Sequence, residues 1–233
     1  MYSLLAFDLD GTLANTESIS IPSMLRFLPE YGIHLTPEAW YATYHGMSGQ
    51  SLLDKLNAAF GTQMVWSEFY PRRYAHIARV FREDGVEPAP GMLQMVRRLA
   101  AAGHQMCIVS NSSPERVALT LEVVKGQRAA GLMLPQMFAG HVVSATDPAH
   151  PTRRAKPEPD SYLAAAEKYK CAPAQCVALE DSVVGVTAAV RAGFTVWGYA
   201  GLGHAPAQTA EALREAGAHR VLTHWDEMVV GPR

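Results

Sequence analysis

Carboxylates, a hydroxyl and a lysine lie beside short apolar runs of this chain, mostly directly after them. The residues with this placement are Asp8, Asp10, Ser110, Lys156, Glu180 and Asp181. If the runs are neighbouring strands of a parallel sheet, the side chains that follow their carboxyl ends meet at one edge of it. Four carboxylates close together need positive charge among them, and a hard divalent cation with oxygen ligands is the simplest candidate. The pattern therefore predicts a metal-assisted site.

Mg²⁺ suits such a site because it binds one or two protein carboxylates, keeps some of its waters and accepts a phosphate oxygen. Asp8 and Asp10 have α-carbons about 6–7 Å apart along a strand and can flank one substrate group. An Asp carboxylate can attack a phosphoryl group while a second carboxylate moves a proton. Lys156 and the cation would neutralise the phosphoryl oxygens. These residues predict phosphoryl chemistry through an aspartyl phosphate.

The elements that must position these residues alternate along the chain. Short runs rich in Val, Leu and Ile predict strands at residues 3–7, 105–109, 176–179, 194–197 and 220–222. Segments of helical period lie between them, with starts at Pro90-Gly91, Ser113-Pro114, Asp160 and Ser182. This alternation indicates a parallel sheet covered on both faces. The predicted fold class is α/β, with a doubly wound, Rossmann-like parallel-sheet core.

Residues 16–86 interrupt the alternation. They contain no convincing strand, and their helical patterns lie at residues 19–31, 37–45, 50–60 and 67–82. A structureless connection of this length is uncommon in a compact domain, so we predict a small helical bundle inserted into the core. The predicted domains are an α/β catalytic core of residues 1–15 and 87–233 and an inserted α-helical domain of residues 16–86.

Composition argues against several classes of protein. Hydrophobic residues make up 48% of the 233 residues and charged residues only 18%, unlike a disordered chain or a coiled coil. A net charge of −2 without basic runs predicts no nucleic-acid partner. The apolar stretch at residues 2–7 ends at Asp8 and has no basic residue before it, so it predicts neither a signal peptide nor a membrane span. Three cysteines without zinc or redox spacing favour a cytoplasmic location.

Four motifs, in this order, resemble those of the haloacid dehalogenase-like hydrolase superfamily. They are Asp8-Leu9-Asp10-Gly11-Thr12-Leu13, Ser110, Lys156-Pro157-Glu158-Pro159-Asp160 and Leu179-Glu180-Asp181-Ser182. The resemblance covers nearly the whole chain. The helical insertion is similar to the α-helical cap domain of the subgroup that contains phosphatases of small phosphorylated metabolites and beta-phosphoglucomutase. Membership would imply a Mg²⁺ cofactor, a cap domain and a monomer or homodimer.

The resemblance implies roles for the first motif. Asp8 matches the nucleophile and also a metal ligand. Asp10 matches the general acid and base, and it would bind the metal through its main-chain oxygen. Thr12 would orient Asp10 or contact the phosphate of the substrate.

The later motifs supply the remaining implied roles. Ser110, with Asn111 beside it, matches the hydroxyl that binds phosphate. Lys156 matches the catalytic and substrate-binding lysine that balances charge on the nucleophile and the phosphate. Glu180 and Asp181 match the acidic pair that holds Mg²⁺.

Departures from the family pattern narrow the choice of reaction. Dehalogenases lack the second aspartate of the first motif, so Asp10 favours phosphoryl over carbon–halogen chemistry. Mutase relatives carry a histidine and an arginine where this chain has Ser20 and Gly49, which disfavours a sugar-phosphate mutase but leaves it open. A non-enzymatic phospho-receiver module also combines acids, a hydroxyl and a lysine on a parallel sheet. The length of this chain and its helical insertion both count against a receiver module.

We therefore predict a Mg²⁺-dependent phosphatase that acts on a small phosphorylated metabolite, either a sugar phosphate or a phospho-acid, through an aspartyl-phosphate intermediate. No nucleic-acid or membrane partner is expected. Residues 144–154 are longer and more polar than expected before the lysine motif, and the sequence assigns them no function.

Overall fold

A computed structural model of the chain describes residues 2–44, 47, 49–203 and 206–229. The chain divides into two compact units, one formed by Met1–Thr16 with Val86–Arg233 and the other by Glu17–Gly85. Within the described ranges, no helix has the length and apolar character needed to cross a bilayer.

The larger unit is built on a parallel sheet with the strand order β3-β2-β1-β4-β5-β6. Its described strands are β1 (Leu4–Phe7), β2 (Met106–Ser110), β3 (Val142–Ser144), β4 (Cys176–Glu180), β5 (Thr195–Tyr199) and β6 (Arg220–Leu222). Strands β1 and β4 are buried along their whole length, as expected for strands covered on both faces. The order reverses around β1, so the carboxyl ends of β1, β2 and β4 enclose a crevice. The predicted α/β fold class is confirmed.

Strand β3 is missing from the predicted set. It has three residues, Val142–Ser144. It pairs with β2 from Ile108↔Val142 to Ser110↔Ser144. The pairing places Ser144 beside Ser110 at the carboxyl edge of the sheet.

The smaller unit is a set of helices around its own apolar core. They are α1 (Glu17–Phe27), followed by a 3-10 turn (Leu28–Tyr31), then α2 (Pro37–Thr43), α3 (Gly49–Phe60) and α4 (Trp66–Asp84). Phe27, Leu53 and Phe69 are buried in this core. The first predicted helix is shorter than expected because its last turn is 3-10, and His45, the end of the second, lies outside the described residues.

Helices of the larger unit connect its strands. They are α5 (Met92–Ala101), α6 (Pro114–Val123), the short α7 (Leu134–Met137), α8 (Asp160–Lys168), α9 (Val183–Arg191) and α10 (Pro206–Glu215). Ser113 and Ser182 cap α6 and α9, each accepting a hydrogen bond from a backbone N–H three residues ahead. The caps fix where the loops after β2 and β4 end.

An aromatic cluster packs against the loop that follows β1. Trp225 is fully buried, and its indole N–H donates to the carbonyl of Thr12 at 3.2 Å. Its ring stacks on Tyr199 with centroids 4.6 Å apart and meets Phe7 edge-on at 5.9 Å. The indole therefore ties the loop after β1 to the end of β5.

This packing predicts a large loss of stability when Trp225 is removed. Trp225→Ala should lower the free energy of unfolding by about 3–5 kcal/mol because it opens a cavity. Trp225→Phe should cost about 1–3 kcal/mol, since the Thr12 carbonyl loses its donor. Urea unfolding followed by circular dichroism measures both. A loss below about 1 kcal/mol for the Ala variant would contradict the role of the cluster.

Candidate active site

The loop after β1 places Asp8 against the neighbouring strand. The backbone N–H of Asp8 donates to the carbonyl of Leu179 at 2.9 Å, so Asp8 extends the pairing of β1 with β4. The loop then turns tightly, because the carbonyl of Leu9 accepts from the backbone of Thr12, Leu13 and Ala14. Asp8 is buried at the crevice.

Gly11 allows this loop to approach the acidic loop after β4. Its φ is +87°, in the region that favours glycine, and a Cβ there would lie 2.1 Å from Oδ2 of Asp181. Thr12, fully buried, donates from its hydroxyl to Oδ1 of Asp181 at 3.0 Å. The two residues together hold Asp181 beside the first motif.

Lys156 joins three strands at the centre of the site. Its ammonium group donates to Oδ1 of Asp8 at 2.5 Å, to Oε1 of Glu180 at 2.6 Å and to the carbonyl of Val109 at 2.8 Å. These partners use all three of its donors. Burial alone would lower the pKa of Lys156, but the carboxylates of Asp8 and Glu180 outweigh burial and raise it above its usual value. Lys156 is therefore a fixed positive charge.

Glu180 is fully buried and heavily bonded. Besides Lys156, its Oε1 accepts from the hydroxyl of Tyr162 at 2.5 Å, while Oε2 accepts from Ser182 at 3.4 Å. A Cβ at Gly185 would lie 1.8 Å from Oε2, so only glycine fits at this point of α9. Burial and the nearby Glu180 charge raise the pKa of Tyr162 well above its usual value, which keeps the phenol protonated as a donor.

Three carboxylates converge as a cation site would require. Asp8, Glu180 and Asp181 each offer an oxygen, and these oxygens lie within 4.8 Å of one another. All three are hard oxygen donors, the type that Mg²⁺ prefers. The donor set therefore fits the predicted cation. The Asp10 carboxylate lies outside the group, and its assignment as a main-chain ligand stays a prediction.

Burial of the Asp8 carboxyl raises its pKa. Burial is the largest cause, Lys156 opposes it, and the carboxylates of Glu180 and Asp10 add to it, so the pKa reaches about 8 without a cation. A nucleophilic carboxylate must be ionised at neutral pH. A divalent cation at this position would favour the ionised form.

Ser110 and Asn111 lie at the carboxyl end of β2. The oxygen of Ser110 accepts from the backbone N–H of Ser112 at 3.0 Å. The side chain of Asn111 accepts from the backbone N–H of Lys156 at 2.9 Å and donates to its carbonyl at 3.4 Å. Asn111 thus secures the loop that carries Lys156. Phosphate contact by either residue, like that by Thr12, stays a prediction.

Residues 144–154 contact the loops that carry the site residues. Ser144, at the end of β3, donates to the carbonyl of Ser112 at 2.8 Å, and its own carbonyl accepts from Arg153 at 2.6 Å. Arg154 pairs with Asp160 at 2.8 Å. These contacts give the segment a role in holding the loops after β2 and before α8.

Sequence reasoning missed Ser112, Arg116 and Tyr162. Ser112 donates to Oδ2 of Asp10 at 2.8 Å, and a nitrogen of Arg116 lies 4.0 Å from Oδ1. Ser112 follows Ser110 and Asn111 in a run of small polar residues, and only those two were assigned a role in binding phosphate. Tyr162 followed the lysine motif at a helical position typical of core packing. None of the three positions carried a distinguishing local signal.

Several known proteins are similar to this chain. A family model described as haloacid dehalogenase-like hydrolase matches residues 5–199. Hexitol phosphatase A of Escherichia coli (strain K12) is 31% identical over 190 residues, which cover 80% of this chain and 78% of that protein. The 6-phosphogluconate phosphatase of the same organism is 26% identical over 192 residues, with 82% and 79% covered. A crystal structure of a hydrolase from Deinococcus radiodurans R1, with bound phosphate and sodium, is 32% identical with a TM-score of 0.71, covering 97% of this chain and 93% of that one.

Cation binding at the three carboxylates should release protons. Because the pKa of Asp8 is about 8 without a cation, its carboxyl is largely protonated at pH 6 and must lose the proton to bind Mg²⁺. The apparent affinity should therefore rise as pH increases from 6 to 9, by up to about tenfold per pH unit below the pKa.

Isothermal titration calorimetry in two buffers of different ionisation enthalpy measures both the affinity and the protons released. Asp8→Asn is the control, since a carboxamide does not titrate and its weaker binding should be nearly independent of pH. Equal affinity at pH 6 and pH 9 with no proton release would contradict the assignment of Asp8.

Proposed function

Because the chain belongs to the haloacid dehalogenase-like hydrolases and is a phosphatase of that family, we propose that it hydrolyses a small phosphorylated metabolite through a phosphorylated Asp8. The substrate is a sugar phosphate or a phospho-acid. The observation that carries the proposal is the position of Asp8, buried beside Glu180 and Asp181 and fixed by Lys156. Lys156 fixes Oδ1 of this carboxylate by a charged hydrogen bond.

The first step forms a bond from Asp8 to phosphorus and breaks the ester bond. Lys156 holds Oδ1 of Asp8 and offers its charge to the incoming phosphoryl oxygens. Asp10, whose backbone begins the turn after β1, gives its proton to the leaving oxygen. The alcohol is released and Asp8 carries the phosphoryl group.

The second step reverses the proton movement. Asp10 takes a proton from water, which attacks phosphorus, breaks the bond to Asp8 and releases inorganic phosphate. Ser110, fixed at the end of β2 by its bond with Ser112, binds a phosphoryl oxygen in both steps. Asp8 is then restored for the next cycle.

Mg²⁺ is the cation that we assign to the site. Asp8, Glu180 and Asp181 would hold it, with the main-chain oxygen of Asp10 as a further ligand. When bound, it neutralises negative charge on the phosphoryl oxygens. Lys156 and Tyr162 occupy one oxygen of Glu180, which orients the other towards Ser182 and the acidic loop.

The names of two relatives support the proposed substrate class. Two similar proteins are named as phosphatases, one of hexitols and one of 6-phosphogluconate. A polyol phosphate and a sugar-acid phosphate share a primary phosphate ester on a polyhydroxylated chain. A screen for phosphate release with Mg²⁺ should therefore compare sorbitol 6-phosphate, 6-phosphogluconate, glucose 6-phosphate, phosphoglycolate and nucleotides.

Replacement of the nucleophile tests the proposal. Asp8→Asn should lower phosphate release with Mg²⁺ by roughly a thousandfold or more, because a carboxamide does not form the phosphorylated intermediate. The matched control is Asp84→Asn at the exposed end of α4, which should retain full activity. Retained activity in the Asp8 variant would overturn the proposed function.

A sugar-phosphate mutase would share the phosphorylated aspartate but return the phosphoryl group to substrate. Incubation with beta-glucose 1-phosphate and a bisphosphate activator separates the two reactions. We expect inorganic phosphate and no glucose 6-phosphate, measured with a coupled dehydrogenase. Accumulation of glucose 6-phosphate would replace the phosphatase with the mutase. A stable phosphorylated form with acetyl phosphate, without turnover of any ester, would instead indicate a receiver module.

A further inference from the structure

Ser112 links the two parts of the site that must act on opposite sides of the scissile bond. Its hydroxyl donates to Oδ2 of Asp10 at 2.8 Å, and its backbone N–H donates to the oxygen of Ser110 at 3.0 Å. We propose that Ser112 is a positioning residue, which fixes the carboxyl of Asp10 for proton transfer to the leaving oxygen. The inference rests on the proposed function, in which Asp10 is the general acid.

Ser112 is itself held firmly. Its carbonyl accepts from the hydroxyl of Ser144 at 2.8 Å, and that hydroxyl in turn accepts from the backbone N–H of Thr146 at 3.1 Å. The pairing of β3 with β2 places Ser144 for this contact. Backbone N–H, backbone carbonyl and side-chain hydroxyl of Ser112 are therefore all engaged, so its hydroxyl has a defined direction.

The bond from Ser112 makes the two oxygens of Asp10 different. Oδ2 accepts from Ser112, whereas Oδ1 is buried and has no hydrogen-bond partner among the described residues. A nitrogen of Arg116 lies 4.0 Å from Oδ1, beyond hydrogen-bond distance. A buried carboxyl oxygen without a partner is costly unless a ligand satisfies it.

The two hydrogen bonds of Ser112 also fix the distance between Ser110 and Asp10. Ser110 binds the phosphoryl group in the proposed reaction, and Asp10 protonates the ester oxygen next to it. Because Ser112 bonds to both residues, the phosphate-binding hydroxyl and the acid are held as one unit. An error of about 1 Å in such an alignment can cost about a hundredfold in rate.

The test uses three esters that share a ring and differ in the basicity of the leaving oxygen. These are 4-nitrophenyl, phenyl and benzyl phosphate. The 4-nitrophenolate ion leaves without a proton, whereas the benzyl alkoxide requires one. The ratio kcat/KM for each ester reports on phosphorylation of Asp8, the step in which the acid acts. A merely structural defect would lower all three values equally.

We expect Ser112→Ala to lower kcat/KM for benzyl phosphate by roughly 10–100-fold and for 4-nitrophenyl phosphate by less than about threefold. Phenyl phosphate should fall between them. Ser112→Thr keeps a hydroxyl and should restore most of the activity on benzyl phosphate. Asp10→Asn should show the same order of losses, but larger. The matched control is Ser113→Ala, which removes the α6 cap and should leave the ratios among the three esters unchanged.

The outcomes distinguish failure of the positioning role of Ser112 from failure of the proposed phosphatase function. Equal losses on all esters in Ser112→Ala, or no loss on benzyl phosphate, would overturn the positioning role while the phosphatase stands. A Thr variant as impaired as the Ala variant would overturn it too. A native enzyme that turns over none of the screened esters would overturn the proposed function itself. Thermal unfolding of each variant, with Ser112→Thr as the conservative replacement, distinguishes misfolding from misplacement.

Discussion

One buried ammonium group organises the carboxyl edge of this sheet. Lys156 bonds to Asp8 after β1, to Glu180 at the end of β4 and to the carbonyl of Val109 in β2. Strands β2, β1 and β4 are adjacent in the sheet. A charge removed from water is tolerated only when opposite charge and hydrogen bonds replace its hydration. The strands and the lysine therefore depend on each other, because the lysine needs their oxygens and the acids need its charge.

The same arrangement places one lysine among several carboxylates. Lys156 satisfies one oxygen of Asp8 and one of Glu180, while Asp181 is held by the neutral hydroxyl of Thr12. Burial consequently raises the pKa of Asp8 to about 8. A fold that gathers acids around one lysine is thus prepared for a cation and for the charge-neutralising chemistry of phosphate esters. Binding and catalysis draw on one electrostatic imbalance.

Much of this site could be predicted from the sequence because its principal groups lie in short motifs at strand ends. The strand-to-loop pattern placed Asp8, Lys156 and Glu180 at one edge, where the structure brings them into contact. Tyr162 and Ser112 could not be found in this way. Their importance arises from contacts with Glu180 and Asp10 across 18 and 102 residues, and no local periodicity reports such distances. Strand β3 was also missed, although β6, which has the same length, was predicted.

The indole of Trp225 supports the first motif from a distant part of the chain. Its hydrogen bond to Thr12 joins residues 213 positions apart, so the loop that holds the aspartates is buttressed by one of the last described side chains. During synthesis this support cannot form until Trp225 has been added to the chain. Loss of Trp225 would therefore remove support from the loop that carries Asp8 and Asp10, although every residue of that loop is unchanged.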